Sequence, residues 1–414
     1  MYALIVMAVS LFVLVVLLRF KVSIGRAMVA SAIIATIMLR LWPQAILAHL
    51  NYEFENFPLS KTSVYLFVMI SALLMLVNVL GAAMRYVGVA SRLIPAMQGL
   101  FRSRRVALAI IPFIMGMLPT PGGIMLSAPM VKELGDSIGV DRAKQAAINF
   151  FFRHQWEPVW PLFPAIPLIQ GILGVSVRSI IAYNAVLWAA GIIGGVIFLL
   201  IGSMPPKSEH VVAKRSIGKN LKDFAHAFWP IVLAAGLYAA FELPPALGVL
   251  AAVVIFLFVH RVKCSDWIKI FKAAGKFDFV LLIFGAVFFK FVLQASGAID
   301  EAVTFLNESN VPPKVVIFLL PFIVAVLTGI TAVTVAITFP FLAGLIGTGD
   351  SANMPLEALA FAGVMTGLYI TPIHLCLPLS AAYFETPLGK IIAKAIPPAL
   401  CIAAAGIAMA ILMG

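Results

Sequence analysis

The residues best equipped for chemistry here are ionisable and hydroxyl-bearing side chains set inside long apolar runs. Arg153, His154 and Glu157 stand together in Arg153-His154-Gln155-Trp156-Glu157-Pro158, and Lys290 lies twelve residues beyond Asp278 in an otherwise apolar stretch. Charges at membrane depth are costly and mark either function or a paired brace. If 153–157 is helical, the i, i+4 spacing sets Arg153 beside Glu157 on one face. Two readings follow: an ion pair bracing a break in the helix, or ion coupling through Glu157 or His154, a histidine being able to titrate near neutral pH. Lys290 is too deep to snorkel. It neutralises an anionic substrate, replaces a bound cation as a built-in charge, or pairs with Glu157. Farther on, Thr371-Pro372 interrupts another apolar run, with His374 two residues past the proline as a ligand or a core hydrogen-bonding group.

A second group of candidates sits where apolar segments are broken by Pro, Gly and Thr. The sequence Leu118-Pro119-Thr120-Pro121-Gly122-Gly123 separates two short apolar arms, and Thr328-Gly329-Ile330-Thr331-Ala332-Val333-Thr334 separates two more. An arm of about 13 residues is roughly 20 Å of helix, too short to cross a bilayer. Broken backbone at membrane depth survives only where it is buried in protein or lines a wet cavity. A helix opening at Gly122-Gly123 offers free N–H groups and partial positive charge to an anion. Glycine lets a ligand approach the backbone closely, and the hydroxyls of Thr328, Thr331 and Thr334 with free carbonyls suit Na⁺. Tight helix packing is the other use of such small residues. The expected substrate-binding residues are therefore Thr120, Gly122, Gly123, Thr328, Gly329, Thr331, Thr334 and His374. The expected ion-coupling residues are His154, Glu157, Lys290 and Thr371.

These candidates need a membrane scaffold, and the composition provides one. The chain has 414 residues, 63% hydrophobic and 11% charged, with a mean hydropathy of +1.08, outside the range of soluble domains. Runs at 2–18, 64–84 and 180–202 have span length. The first lacks the basic segment and small-residue cleavage site of a signal peptide. The net charge of +12 does not point to nucleic acid: 23 of the 29 Lys and Arg fall in one set of alternate loops and four in the other, the positive-inside pattern of a multi-pass protein. It places both termini outside. The cysteines Cys264, Cys376 and Cys401 show no metal spacing or paired framework, so they read as filler. No metal or organic cofactor is expected, Na⁺ being a candidate only as coupling ion. Walker A, His-Glu-x-x-His and Gly-x-Ser-x-Gly sequences are missing, which argues against an enzyme and against transport driven by nucleotide hydrolysis in this chain.

The chain reads as two matching halves. Residues 1–203 form a first repeat with a re-entrant hairpin at about 105–134, 204–223 a basic cytoplasmic linker, and 224–414 a second repeat with a hairpin at about 313–347. Residues 90–103 read as an inner interfacial segment, and 42–62 as an outer loop carrying Glu53 and Glu55. Asn78 and Gln294 are near-equivalent polar positions suited to interhelical hydrogen bonds. Pro112-Phe113-Ile114 matches Pro321-Phe322-Ile323, and Pro129, Pro158 and Pro164 match Pro340, Pro372 and Pro378. Five crossings per half is odd, so the repeats face opposite ways; basic residues flank the first hairpin and Glu308, Asp350 and Glu357 the second. The expected fold is an all-α polytopic membrane protein of two inverted five-helix repeats, each with one re-entrant hairpin and one broken helix, the pattern of secondary transporters.

Pro119-Thr120-Pro121-Gly122-Gly123 with Leu126-Ser127-Ala128-Pro129-Met130, followed by His154-Gln155-Trp156-Glu157 and Trp160-Pro161-Leu162-Phe163-Pro164, resembles the prokaryotic integral-membrane family called domain of unknown function 401. That family is similar to the ion transporter superfamily of divalent anion/sodium symporters, gluconate and citrate permeases, arsenite pumps and TRAP membrane subunits. The resemblance implies an inner-membrane protein, a scaffold homodimer and elevator-type movement. The sodium-coupled carboxylate members carry Ser-Asn-Thr at their tips, whereas this chain has Pro-Thr-Pro-Gly-Gly and Thr-Gly-Ile-Thr. The expected function is secondary active transport of a small organic anion, coupled to Na⁺ or H⁺. A cation/proton antiporter using Glu157, His154 and Lys290, or a membrane subunit dependent on a solute-binding partner, are the alternatives.

Overall fold

The computed structural model describes residues 2–20, 22–89, 103–117, 124–201, 217–241, 243–274, 277–298, 301, 304, 308 and 311–414. Within them the chain folds into helices α1 (Tyr2–Arg19), α2 (Ile24–Met38), α3 (Pro43–Asn56), α4 (Ser63–Val87), α5 (Arg104–Gly116), α6 (Ile124–Ser137), α7 (Arg142–Arg153), α8 (Ala165–Leu173) and α9 (Val177–Gly195). After a π-turn at Val196–Ile201 come α10 (Ile217–Phe241), α11 (Pro245–Val259), α12 (Cys264–Ala274), α13 (Phe277–Ala295), α14 (Pro313–Thr328), α15 (Thr331–Ile346), α16 (Met354–Ile370), α17 (Cys376–Tyr383) and α18 (Leu388–Leu412). The described residues include no β-strand. Three helices are long and apolar enough to cross a bilayer by themselves: Ser63–Val87, Val177–Ile201 and Leu388–Leu412. The shorter apolar helices stop where the sequence stops them.

Local chemistry explains the boundaries. Thr62, Asp141, Ser176 and Asn353 accept the first free N–H groups of α4, α7, α9 and α16, as N-caps do. Gly88, Gly174 and Gly329 close α4, α8 and α14 in the left-handed conformation. Pro112 and Pro321, matched in the sequence, occupy the same position from the start inside α5 and α14.

The helices sort into two packing groups. One comprises α1–α4 and α10–α13, with α2 against α13 and α11 against α4. The other comprises α5–α9 and α14–α18, with α14 against α16, α16 against α18, α9 against α18 and α5 against α7. They meet chiefly where α15 packs on α13 and α8 on α4. Each group draws helices from both halves of the sequence.

Several boundaries differ from expectation. Residues 43–56, read as loop, form α3, bent by 105° from α2. Pro43 at its first turn supplies a ready helix start, and Glu53, far from being a solvated loop acid, is buried, accepting from Ser63 N at 2.8 Å and Ser63 Oγ at 2.7 Å. Glu357 is likewise no outer flank: it is fully buried in α16, where Asn184 of α9 donates to it at 3.3 Å. The end of the expected linker, from Ile217, belongs to α10, while 202–216 and the interfacial segment at 90–102 lie outside the described residues. Asn78 bonds Leu74 O in its own helix instead of bridging helices.

Candidate substrate and ion site

The site is assembled from chain interruptions. After α7 ends at Arg153 the backbone runs in turns until α8 begins at Ala165, and after α16 ends at Ile370 it is irregular until α17 begins at Cys376. Between α14 and α15 only Gly329 and Ile330 are non-helical, a shorter tip than the sequence suggests. These three breaks converge.

The first break is braced by α5. Arg153 Nη1 donates to Met115 O at 2.8 Å, and Trp156 Nε1 donates to Phe113 O at 2.8 Å. Gly116 permits this approach, since a Cβ there would lie 2.1 Å from the Arg153 carbonyl oxygen. The helix ends at Arg153, so the i, i+4 face that would set Arg153 beside Glu157 is not formed. The start of α6 is tied to α7 by Asn149, which meets Ser127 Oγ at 2.6 Å.

The second break is tied to the hairpin. Thr371 Oγ1 donates to Val326 O at 2.5 Å and accepts from Ile373 N at 3.2 Å. His374 Nδ1 lies 2.6 Å from Gly329 O. Gly329, at φ +66°, has the His374 backbone nitrogen 2.7 Å from where a Cβ would be. Thr328 and Thr334 do not offer their hydroxyls to the site. They bond Val324 O and Ile330 O within the hairpin and meet each other at 3.1 Å. Thr331, by contrast, approaches the Glu157 carboxylate.

The two breaks then meet through their histidines. His374 Nε2 is 3.0 Å from His154 Nε2, and His154 Nδ1 is 2.7 Å from Phe150 O. Glu157 Oε1 lies 3.9 Å from His154 Nε2, and its Oε2 has no hydrogen-bond partner among the described residues. Phe150 packs against both rings. Tyr369 closes the far side, its hydroxyl accepting from Gln155 Nε2 at 2.7 Å. Cys376, read as filler, places its sulfur with the two histidine nitrogens, all donor atoms within 4.8 Å. Gln155, Tyr369 and Cys376 carry no sequence signal for this; only the fold joins residues more than 200 positions apart.

One expected member stands apart, and three are not described. Thr120, Gly122 and Gly123 lie outside the described residues. Lys290 does not meet Glu157. It is buried in α13 with Nζ 3.3 Å from Gly171 O, and Glu53 supplies an opposing charge. It faces a separate cavity of about 740 Å³ shared with His49, Glu53, Gln294 and Arg178.

Comparison with known proteins agrees with this architecture. No functionally curated protein matches the sequence. The fold resembles the Alcanivorax borkumensis YdaH transporter, described as having an unusual topology, with 16% identity, a TM-score of 0.55, and coverage of 84% of this chain and 87% of that one. It also resembles Neisseria gonorrhoeae MtrF, described as illuminating a class of antimetabolite efflux pumps, with 16% identity, a TM-score of 0.57, and coverage of 90% and 85%. Residues 3–413 match the model of the family described as "Protein of unknown function (DUF401)", and this helical membrane protein belongs to that family.

Proposed function

We propose that this chain is a secondary active transporter of a small organic anion, a carboxylate, coupled to H⁺ or Na⁺ and working by elevator-type alternating access. The observation that carries the reading is the convergence of three helix interruptions, one from the first half and two from the second, on one buried polar cluster. Broken helices paired between halves are where transporters bind cargo. Arg153 gives that cluster a fixed cation, and Thr331 and the ends of α7 and α16 give it polar groups at membrane depth.

The helix grouping favours the elevator form. His154, Glu157, Thr331, Thr371 and His374 all belong to the group α5–α9 with α14–α18, so the cluster can travel as one body. Helices α1–α4 and α10–α13 are the natural scaffold and the surface for a homodimer. The Lys290 cavity, lined from α4, α8 and α13 among others, lies on the seam between groups, where an anion would gather before reaching the moving body. Two inverted repeats, at 1–203 and 224–414, would supply the two end states by exchanging roles.

Purified protein in proteoliposomes tests this. Small carboxylates should accumulate under an imposed H⁺ or Na⁺ gradient and exchange without one; no uptake of any carboxylate under either gradient overturns the proposal. The histidine and glutamate cluster also favours a second reading, cation/proton antiport, in which flux follows a cation gradient with no organic solute present.

A further inference from the structure

The two histidines face each other in an arrangement that hydrogen-bond donor counting resolves. A backbone carbonyl only accepts, so a ring nitrogen 2.7 Å from Phe150 O must carry its proton, and so must the one 2.6 Å from Gly329 O. Both imidazoles are thereby fixed as Nδ1–H donors. In the neutral rings the remaining nitrogens, His154 Nε2 and His374 Nε2, are then both acceptors, yet they approach to 3.0 Å. Two lone pairs at that distance repel unless a cation lies between them.

The spacing identifies the cation. On a tetrahedral metal ion with nitrogens at about 2.0–2.1 Å, two ligand nitrogens stand about 3.3 Å apart, wider than is found. An N–H···N hydrogen bond has this length. The surrounding charges suit a single extra positive charge. Glu157 of the first break lies 3.9 Å from His154 Nε2, and Arg153, which ends α7, immediately precedes His154. Cys376 of α17, Tyr369 of α16 and Thr331 of α15 complete the polar neighbours. We infer that His154 and His374 jointly bind one proton between their Nε2 atoms, and that this proton is the coupling ion.

The inference rests on the transport reading and deepens it. Because one histidine comes from each half of the chain, the proton ties the two breaks together across Gly329 and Phe150. With Arg153 and Glu157 cancelling formally, the loaded pair leaves the cluster with one net positive charge, matched to a monoanionic carboxylate. Removing the proton restores lone-pair repulsion and pushes the breaks apart, so loss of proton and loss of anion go together.

Solid-state NMR of ¹⁵N-histidine-labelled protein in lipid bilayers reads the bridge directly. At neutral pH, scalar coupling between two Nε2 nuclei across one shared proton is expected, with one ring imidazolium-like, and His154→Gln or His374→Gln should each abolish it. Two neutral rings without coupling in the wild-type protein overturn the inference, as does a signal altered by chelators or restored by Zn²⁺. Proteoliposomes separate this from the transport reading. Carboxylate accumulation driven by a pH gradient, lost together with carboxylate exchange in a His374→Gln protein that melts like the wild type, supports both. Accumulation under a Na⁺ gradient with no pH dependence overturns proton coupling and leaves the transporter standing. A coupled histidine pair without carboxylate uptake sustains the proton site and overturns the carboxylate reading.

Discussion

Gly329→Ala should separate the hairpin tip from the broken span. Two penalties arise at this one position. The left-handed backbone, φ +66°, disfavours any Cβ by roughly 1–2 kcal/mol. The new methyl would also sit 2.7 Å from His374 N, 2.9 Å from His374 Cα and 3.1 Å from Ile373 C. These are backbone atoms that cannot swing aside, and overpacking of this kind costs about 1–3 kcal/mol. Gly297 isolates the second term, since it has φ +68° but nothing within 4 Å of its added Cβ. Gly297→Ala should therefore show the backbone strain alone. The difference between the variants, about 1–3 kcal/mol, corresponds to roughly 2–12 °C in melting temperature for a body of 150–250 residues. If the protein yields at the contact instead of unfolding, the same energy reduces the competent population about 5–150-fold. Thermal melts in detergent and carboxylate uptake in proteoliposomes measure the two routes. A Gly329→Ala protein that melts and transports like Gly297→Ala would show that the tip and the 371–375 turn are not in contact.

Three further outcomes follow from the same geometry. Glu157→Gln keeps the volume but removes the carboxylate beside His154, so pH-gradient-driven accumulation should fall at least about tenfold while the melting temperature stays near wild type; undiminished accumulation would take Glu157 out of coupling. Lys290→Met removes a buried cation that donates a long hydrogen bond to Gly171 O, and buried charges are often replaced by apolar side chains without loss of stability. Its melting temperature should match or exceed wild type while apparent anion affinity weakens, and a lower melt with unchanged affinity would make Lys290 purely structural. Gly363→Ala places a Cβ 2.3 Å from Phe318 O, where α16 packs against α14, and should cost about 1–3 kcal/mol; Gly389→Ala, with open space around it, should be neutral or stabilising, and equal melts would disprove the close packing.

What the sequence disclosed follows from the physics of each signal. Apolar length and the breaks at Pro158, Gly329 and Pro372 are local properties, and the structure interrupts helices at or beside each. The equivalence of Pro112 and Pro321 is also local. The details that failed depended on surroundings. Residues 43–56 mix Glu, Asn and aromatics as a loop would, yet Glu53 is satisfied by Ser63 ten residues later. Glu357 reads as a solvated acid until Asn184, 173 positions away, covers it. Thr328 and Thr334 read in sequence as free hydroxyls, but a helical threonine readily bonds the carbonyl four residues back, and both do. The sequence gives Lys290 no unique partner, because charge and depth say nothing about which helix lies opposite. Cys376 gave no spacing signal, since its neighbours come from distant breaks.

The separation of Lys290 from the histidine pair changes what a basic residue in this chain can do. A lysine touching the cluster would hold the anion permanently and oppose its release. In the proposed mechanism Lys290 lies instead on α13, in the group that lacks His154 and His374, and would raise the local anion concentration only while the proposed moving group faces that cavity. In that mechanism Arg153 would travel with the site, held to Met115 O and close enough to Glu157 to feel its charge. In that mechanism the variable positive charge is the proton proposed between His154 and His374, which can leave. A transporter needs its cargo held tightly in one state and released in another, and a removable charge satisfies that requirement where two fixed ones cannot.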